Sequence, residues 1–282
     1  MSLTTLVSGL SFAEGPRWHD GRLYYSDFYR HVVEAVDLDG NVERIADVPT
    51  QPSGLGWLPD GRMLIVSMID QKVLRLEANG QLVEHADLSG IATWHCNDMV
   101  VDQTGRAYVG NFGYDMEVPG NKPVMAKLAC VEADGSVRVV AEDLQFPNGA
   151  VITPDGKTLI IGETWGRKLT AFDIADNGNL SNRRVWADID PHFPDGICLD
   201  EAGGIWVADP ALSKIIRVEE GGKITREIDP GNGVFACMLG GADGKRLFVC
   251  TADSAGHGDE AAVKLSAKIE WLDVEHARAG TP

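Results

Sequence analysis

The chain lacks any run of roughly 18 consecutive apolar residues, so nothing in it is built to span a membrane as a helix. Its first residues, MSLTTLVSGLSF, lack the basic start and long apolar core of a secretory signal. Cysteine is scarce and odd in number, at five, with no CxxC spacing to suggest a zinc ribbon or a redox pair. Cys96, Cys130, Cys198, Cys237 and Cys250 therefore read as reduced, mostly strand-buried thiols, and the expected compartment is the cytoplasm. Basic residues are few: 25 Lys and Arg stand against 42 Asp and Glu, a net charge of −17. That balance excludes a nucleic-acid partner, whose phosphates require a basic footprint. No GxSxG elbow occurs, which disfavours a covalent serine mechanism. No stretch shows a convincing 3.6-residue apolar period, so helices are not expected either.

What the chain does contain is glycine, 32 of 282 residues, and a repeat. A turn closed by glycine recurs in HDGRLYYSD, PDGRMLIVSM, QTGRAYVGNF, PDGKTLIIGET, EAGGIWVADP and ADGKRLFVCTA. The turn glycines are Gly21, Gly61, Gly105, Gly156, Gly203 and Gly244, spaced by 40 to 51 residues. Glycine accepts the left-handed backbone that closes a hairpin, and a period of this size is that of a propeller blade. Segments such as KVLRLEANGQLVEHADL and KIIRVEEGGKITREIDP supply third and fourth strands, alternating apolar and polar residues. The expected fold is all-β, a six-bladed β-propeller forming one domain over residues 1–282. The last unit is one strand short, so TTLVSGL at the N-terminus is expected to pair into the C-terminal blade and close the ring.

Aligning the units on their turn glycines exposes a second pattern. Eight residues earlier stand Ser53, Asn97, Asn148 and Asp195; in the first unit Glu14 stands seven earlier, and in the last an apolar stretch lies near Phe235. These positions open the innermost strands, which line the central channel, so their side chains converge on one axis. Two carboxylates there would repel unless neutralised. One divalent cation resolves this, with Glu14, Asn148 and Asp195 as ligands. Oxygen donors without His or Cys favour Ca²⁺, then Mg²⁺ or Mn²⁺, with Zn²⁺ the least suited. The competing reading of each Asn-Gly or Asp-Gly pair is a plain turn.

The motifs FAEGPRW, CNDMVVDQTGRAYVGNF, PNGAVITPDGKTLIIGET and PDGICLDEAGGIWVADP, in this order, resemble the gluconolactonase/regucalcin (senescence marker protein) family. The similarity runs from about residue 12 to about residue 255. It implies a lactone-hydrolysing propeller in which the counterparts of Glu14, Asn148 and Asp195 hold the metal. The counterpart of Asn97 contacts metal water or substrate. Sugar-lactone members can carry an arginine two residues before that asparagine; here the residue is His95.

The function expected from residues and resemblance together is metal-dependent lactone or ester hydrolysis. Asp195 serves as ligand and general base, with Asn97 and His95 as donors to the developing oxyanion. His95 and His192 each have an alternative as ordinary hydrogen-bonded rim residues. Second-strand loops at 27–30, 111–124, 163–167, 209–213 and 251–264 should surround the mouth, the long ones at 111–124 and 251–264 being lid candidates. They and the adjoining strand starts bring Phe28, Trp94, Phe112, Tyr114, Trp165 and Phe193, with Asn97 and His95, toward a small-molecule substrate. That aromatic set points to a lactone or ester less polar than gluconolactone. The alternative is a non-catalytic propeller that binds a metal or a partner protein.

Overall fold

The six turn glycines adopt the backbone that their position requires: Gly21, Gly61, Gly105, Gly156, Gly203 and Gly244 all have φ between 71° and 89°. Each reverses the chain between an inner strand and a second strand. In a computed structural model, which describes residues 3–116, 118–253 and 258–282, the strands form six four-stranded antiparallel sheets among the described residues. The inner strands are Ala13–His19, Pro52–Trp57, Cys96–Val101, Pro147–Ile152, Ile197–Leu199 and Gly233–Gly240. The fold is a six-bladed β-propeller. Thr4–Leu10 pairs antiparallel with Ala267–Asp273, in the same sheet as Gly233–Gly240 and Arg246–Ala252.

Burial follows the radial order of the strands. Inner and second strands are buried on both faces because neighbouring blades cover them, as in Met63–Ser67 and Pro147–Ile152, where every residue is buried. Outer strands alternate; Val137–Leu144 exposes Val137 and Val139. All five cysteines are free and buried.

A polar latch repeats around the ring. The last residue of the second strand is a fully buried polar side chain in blades one to five: Asp27, Ser67, Asn111, Glu163 and Asp209. Each binds the segment that leads into its own inner strand. Asp27 accepts from the Ser11 hydroxyl and from the N–H groups of Ser11 and Phe12 at 3.1 Å, and also pairs with Arg30. Ser67 meets Thr50, and Asn111 accepts from the Thr93 hydroxyl at 3.4 Å. Glu163 accepts from the Gln145 N–H at 2.8 Å. Asp209 bonds Nδ1 of His192 at 2.8 Å. His192 is therefore the fifth-blade form of the latch, three residues upstream of Asp195.

Two features were not legible in the sequence. A seven-residue helix, Gly258–Lys264, stands in the loop after the last second strand, too short to show a period. Residues 275–282 cross the face of the ring opposite the strand starts, with bridges Asp200–Arg278 and Ile152–Thr281 fastening them to blades five and four. Of the two lid candidates, 111–124 is described except for residue 117, whereas 254–257 of the other lie outside the described residues. Among the described residues, no helix is long and apolar enough to cross a membrane.

The latch can be tested by Asp27→Ala, which strands the buried N–H groups of Ser11 and Phe12, while Arg30 keeps its pair with Glu34. Its unfolding free energy should fall by about 2–4 kcal/mol in urea titration. An unchanged midpoint would assign the strand entrance to apolar packing alone.

Candidate functional site

Each inner strand leaves its ladder at the channel mouth. The register with the second strand is broken between Glu14 and Arg17, Pro52 and Leu55, Cys96 and Met99, and Pro147 and Ala150. Such bulges re-aim side chains, and here they recur at one level. In blade five the ladder begins only at Ile197, and the Asp195 N–H donates to the Ala208 carbonyl at 2.9 Å.

The residues after the candidate ligands show why glycine follows them. A Cβ on Gly149 would sit 2.5 Å from the Asp195 carbonyl oxygen, and one on Gly196 would sit 2.6 Å from Ala236. Both glycines have ordinary backbone angles and lie against a neighbouring inner strand, so the plain-turn reading of Asn148-Gly149 and Asp195-Gly196 is not what is found. The strands come this close because the side chain is missing.

A line of amides runs across the mouth. The Ser53 hydroxyl donates to Asn97 Oδ1 at 3.3 Å, and Asn97 Nδ2 donates to Asn148 Oδ1 at 2.9 Å. Asn148 Nδ2 donates to the Thr164 hydroxyl at 3.2 Å, which donates to the Pro194 carbonyl at 2.7 Å. Asn148 also hydrogen-bonds the Asp195 carboxylate. Burial drives the Glu14 carboxyl up to about 8; the Asp98 charge adds to this, and the Gly15 N–H and Arg17 oppose it. Asp195 is raised well above the carboxylate range, first by burial and then by the Glu14 charge. Both residues are half-buried and keep part of their surface open to the channel. Beneath them Arg17 Nη2 pairs with Asp98 Oδ1 at 2.6 Å, both buried, and spends its other donors on the carbonyls of Pro16, Leu55 and Met99.

A hard divalent cation fits this donor set. Two carboxylates that resist ionisation in each other's presence need positive charge, and the Asn148 carbonyl retains a second lone pair. No group of three or more His, Cys, Asp or Glu converges among the described residues, which leaves amide oxygen and water to complete a shell. Glu14, Asn148 and Asp195 would hold the ion.

The aromatic side chains form a continuous arc. Trp94 stacks on His95 at 4.6 Å between ring centroids, His95 lies 6.3 Å from Phe112, and Phe112 lies 4.7 Å from Phe146. Phe146 is 6.0 Å from Trp165, which meets Phe193 at 6.2 Å. Arg167 caps the arc over the Phe193 ring at 4.4 Å. Phe146 holds the left-handed backbone, φ 61°, one residue before Pro147, an unusual conformation for a bulky residue. Phe28 is buried against Phe12 on the other side, and Tyr114 is half-buried. Around the arc Ile69, Trp165, Leu212 and Leu265 are exposed. Thr164, Asp98 and Arg17 were missed by sequence reasoning. Only Arg17, a guanidinium inside an apolar inner strand, carried a signal that could have found it.

Residues 12–253 match the SMP-30/Gluconolactonase/LRE-like region. The chain belongs to this family. It is 28% identical over 298 residues to pentonolactonase XacC of Haloferax volcanii, covering all of this chain and 97% of that protein. A luciferin-regenerating enzyme superposes with a TM-score of 0.82 at 18% identity, covering 99% of this chain and 97% of that one. A calcium-binding protein, regucalcin, from Agrobacterium tumefaciens superposes with a TM-score of 0.81 at 21% identity, covering 100% and 96%. Both superpositions show the propeller fold alone.

The raised carboxyls set the pH dependence of the metal-free protein. A carboxyl with a folded pKa near 8 and an unfolded one near 4.5 binds its proton more tightly when folded. Stability is therefore fully present below 4.5 and is lost as pH rises through 8. Thermal unfolding in chelator should show this decline, and saturating Ca²⁺ should flatten it. A metal-free stability that is level or rising over that window would contradict the electrostatic reading.

Proposed function

We propose that this protein is a divalent-metal-dependent lactonase whose preferred substrate is less polar than gluconolactone. The observation that carries the reading is the Glu14 and Asp195 pair held across one channel mouth beside Asn97 and Asn148. Family membership and the likeness to a pentonolactonase support lactone chemistry. The regucalcin likeness supports Ca²⁺. The pairing of Thr4–Leu10 with Ala267–Asp273 supports ring closure and a single domain over residues 1–282.

When bound, the cation would polarise the lactone carbonyl and acidify a water molecule. Asp195 is the general base: one oxygen serves the ion while the other takes a proton from the attacking water. Asn97 spends one N–H on Asn148 and has a second to give the oxyanion. The acyl C–O bond then breaks, and the ring oxygen leaves with the proton held on Asp195. The product is a hydroxycarboxylate. Asn148, fixed by Thr164, orients Asp195 rather than exchanging protons. His95, stacked on Trp94, lies on the substrate side of the mouth and offers a further donor.

Polarity of the substrate follows from the wall. A sugar lactone needs a partner for each hydroxyl or loses affinity. The arc Trp94, His95, Phe112, Phe146, Trp165 and Phe193 offers ring faces and few hydrogen-bonding atoms. XacC is named for a sugar lactone, but its likeness covers the whole chain and does not fix the loops at the mouth.

The test is turnover of a lactone panel followed by proton release, with and without Ca²⁺. Asp195→Asn should lower kcat at least 100-fold while metal is still bound, and Asn97→Ala about 10- to 100-fold. Near-native turnover by metal-loaded Asp195→Asn would refute the base assignment. Each methylene added to an alkyl-substituted lactone should raise kcat/KM about fourfold until the pocket fills. A flat series with gluconolactone preferred would return the site to sugar lactones.

A further inference from the structure

A cavity of about 410 Å³ lies at the opposite end of the channel, where the inner strands finish. Trp18, His19, Leu55, Trp57 and Arg278 line it, and Arg17 forms part of its wall. The volume lies within the usual range for small-molecule sites. Its walls are planar: His19 stacks on Trp57 with centroids 4.0 Å apart, and Trp18 stacks on Phe248 at 5.5 Å. Gly240 permits the Trp18 position, since a Cβ there would fall 2.5 Å from the indole.

The charge in this cavity is unusual for an acidic protein. Arg17 is committed to Asp98 at 2.6 Å. Arg278 gives one N–H to the Trp18 carbonyl at 3.0 Å, and among the described residues no carboxylate pairs with it. Its backbone is fixed, with its N–H on the Gly244 carbonyl at 2.9 Å and a bridge to Asp200. The guanidinium is thus positioned, solvent-accessible and left with unused donors in a chain of net charge −17. Asp20 is a rim carboxylate, highly exposed and 3.4 Å from His19 Nε2, and Thr281 and Pro282 also line the cavity.

We propose that this cavity is a second binding site, for a small organic carboxylate, with Arg278 holding the carboxylate and the Trp18 and Trp57 faces covering its carbon chain. A guanidinium presents two parallel N–H groups that match a carboxylate. The planar walls suit a carbon skeleton better than a bare inorganic anion. A hydroxycarboxylate, the product class of lactone opening, is the ligand of choice; that choice rests on the proposed activity, but the site does not. Arg17 and Asp98 link this cavity to Glu14, whose charge both of them influence.

The experiment is calorimetric titration of the Ca²⁺-loaded protein with 6-hydroxyhexanoate, acetate and inorganic phosphate. 6-Hydroxyhexanoate should bind saturably and more tightly than acetate, and Arg278→Gln should weaken it at least 10-fold, with Arg278→Lys intermediate. Asp195→Asn should leave this binding unchanged, which separates it from product held at the mouth and from any failure of the lactonase reading. Unfolding curves for the Arg278 variants identify a loss caused by detachment of residues 275–282. 6-Hydroxyhexanoate binding that survives Arg278→Gln in folded protein, or vanishes in Asp195→Asn, would overturn the proposal. Phosphate binding more tightly than either carboxylate would overturn the ligand class.

Discussion

Repulsion between the buried carboxyls of Glu14 and Asp195 is the constraint on which the rest of the channel mouth depends. Folding brings the two together because they open inner strands of blades that converge on one axis. Among the described residues neither has a basic side chain as a direct hydrogen-bond partner. Arg17 approaches Glu14 from below, but its own pairing is with Asp98. Burial, with the Asp98 charge adding to it, holds the Glu14 carboxyl near 8 rather than in its usual range. A group raised in this way marks a functional site with a physical reason. In metal-free protein these carboxyls retain protons that a cation would displace.

Holding such a site requires rigidity, which the blades supply through two repeated devices. Missing side chains at Gly149 and Gly196 let inner strands touch near the axis, and backbone bonds such as Gly149 N–H to the Asp195 carbonyl tie one blade to the next. Buried latches from Asp27 through Asp209 fix the segment entering each inner strand. Asp195 benefits from both, with the His192–Asp209 pair fixing the segment that leads to it and Gly196 beside it. The amide line from Ser53 to Thr164 then sets the side chains themselves. Strain at Phe146 is sustained by this framework, with its ring wedged between Phe112 and Trp165.

Much of the fold was legible because it is local. A Pro-Asp-Gly turn such as Pro154 to Gly156 states its own geometry, and six turns at one period state the blade count. The alignment at Glu14, Asn97, Asn148 and Asp195 was legible for the same reason, since a fixed offset from a turn is a fixed height in a strand. Contacts between distant segments were not. Nothing near Arg278 indicates that it will lie against Trp18, 260 positions away. Asp98 follows Asn97 in the chain, yet its partner Arg17 is 81 residues earlier. Thr164 looked like an ordinary loop residue until Asn148 was placed beside it.

The central claim is that the two carboxyls exist to be neutralised by a cation, and proton release on binding tests it most directly. Ca²⁺ titrations near pH 7 in buffers of different ionisation enthalpy report the number of protons displaced. One ion should bind with about one to two protons released, because both raised carboxyls must deprotonate to ligate. Release should shrink above pH 8 and fall with Glu14→Gln. Ca²⁺ binding without proton release, or no binding at all, would contradict it.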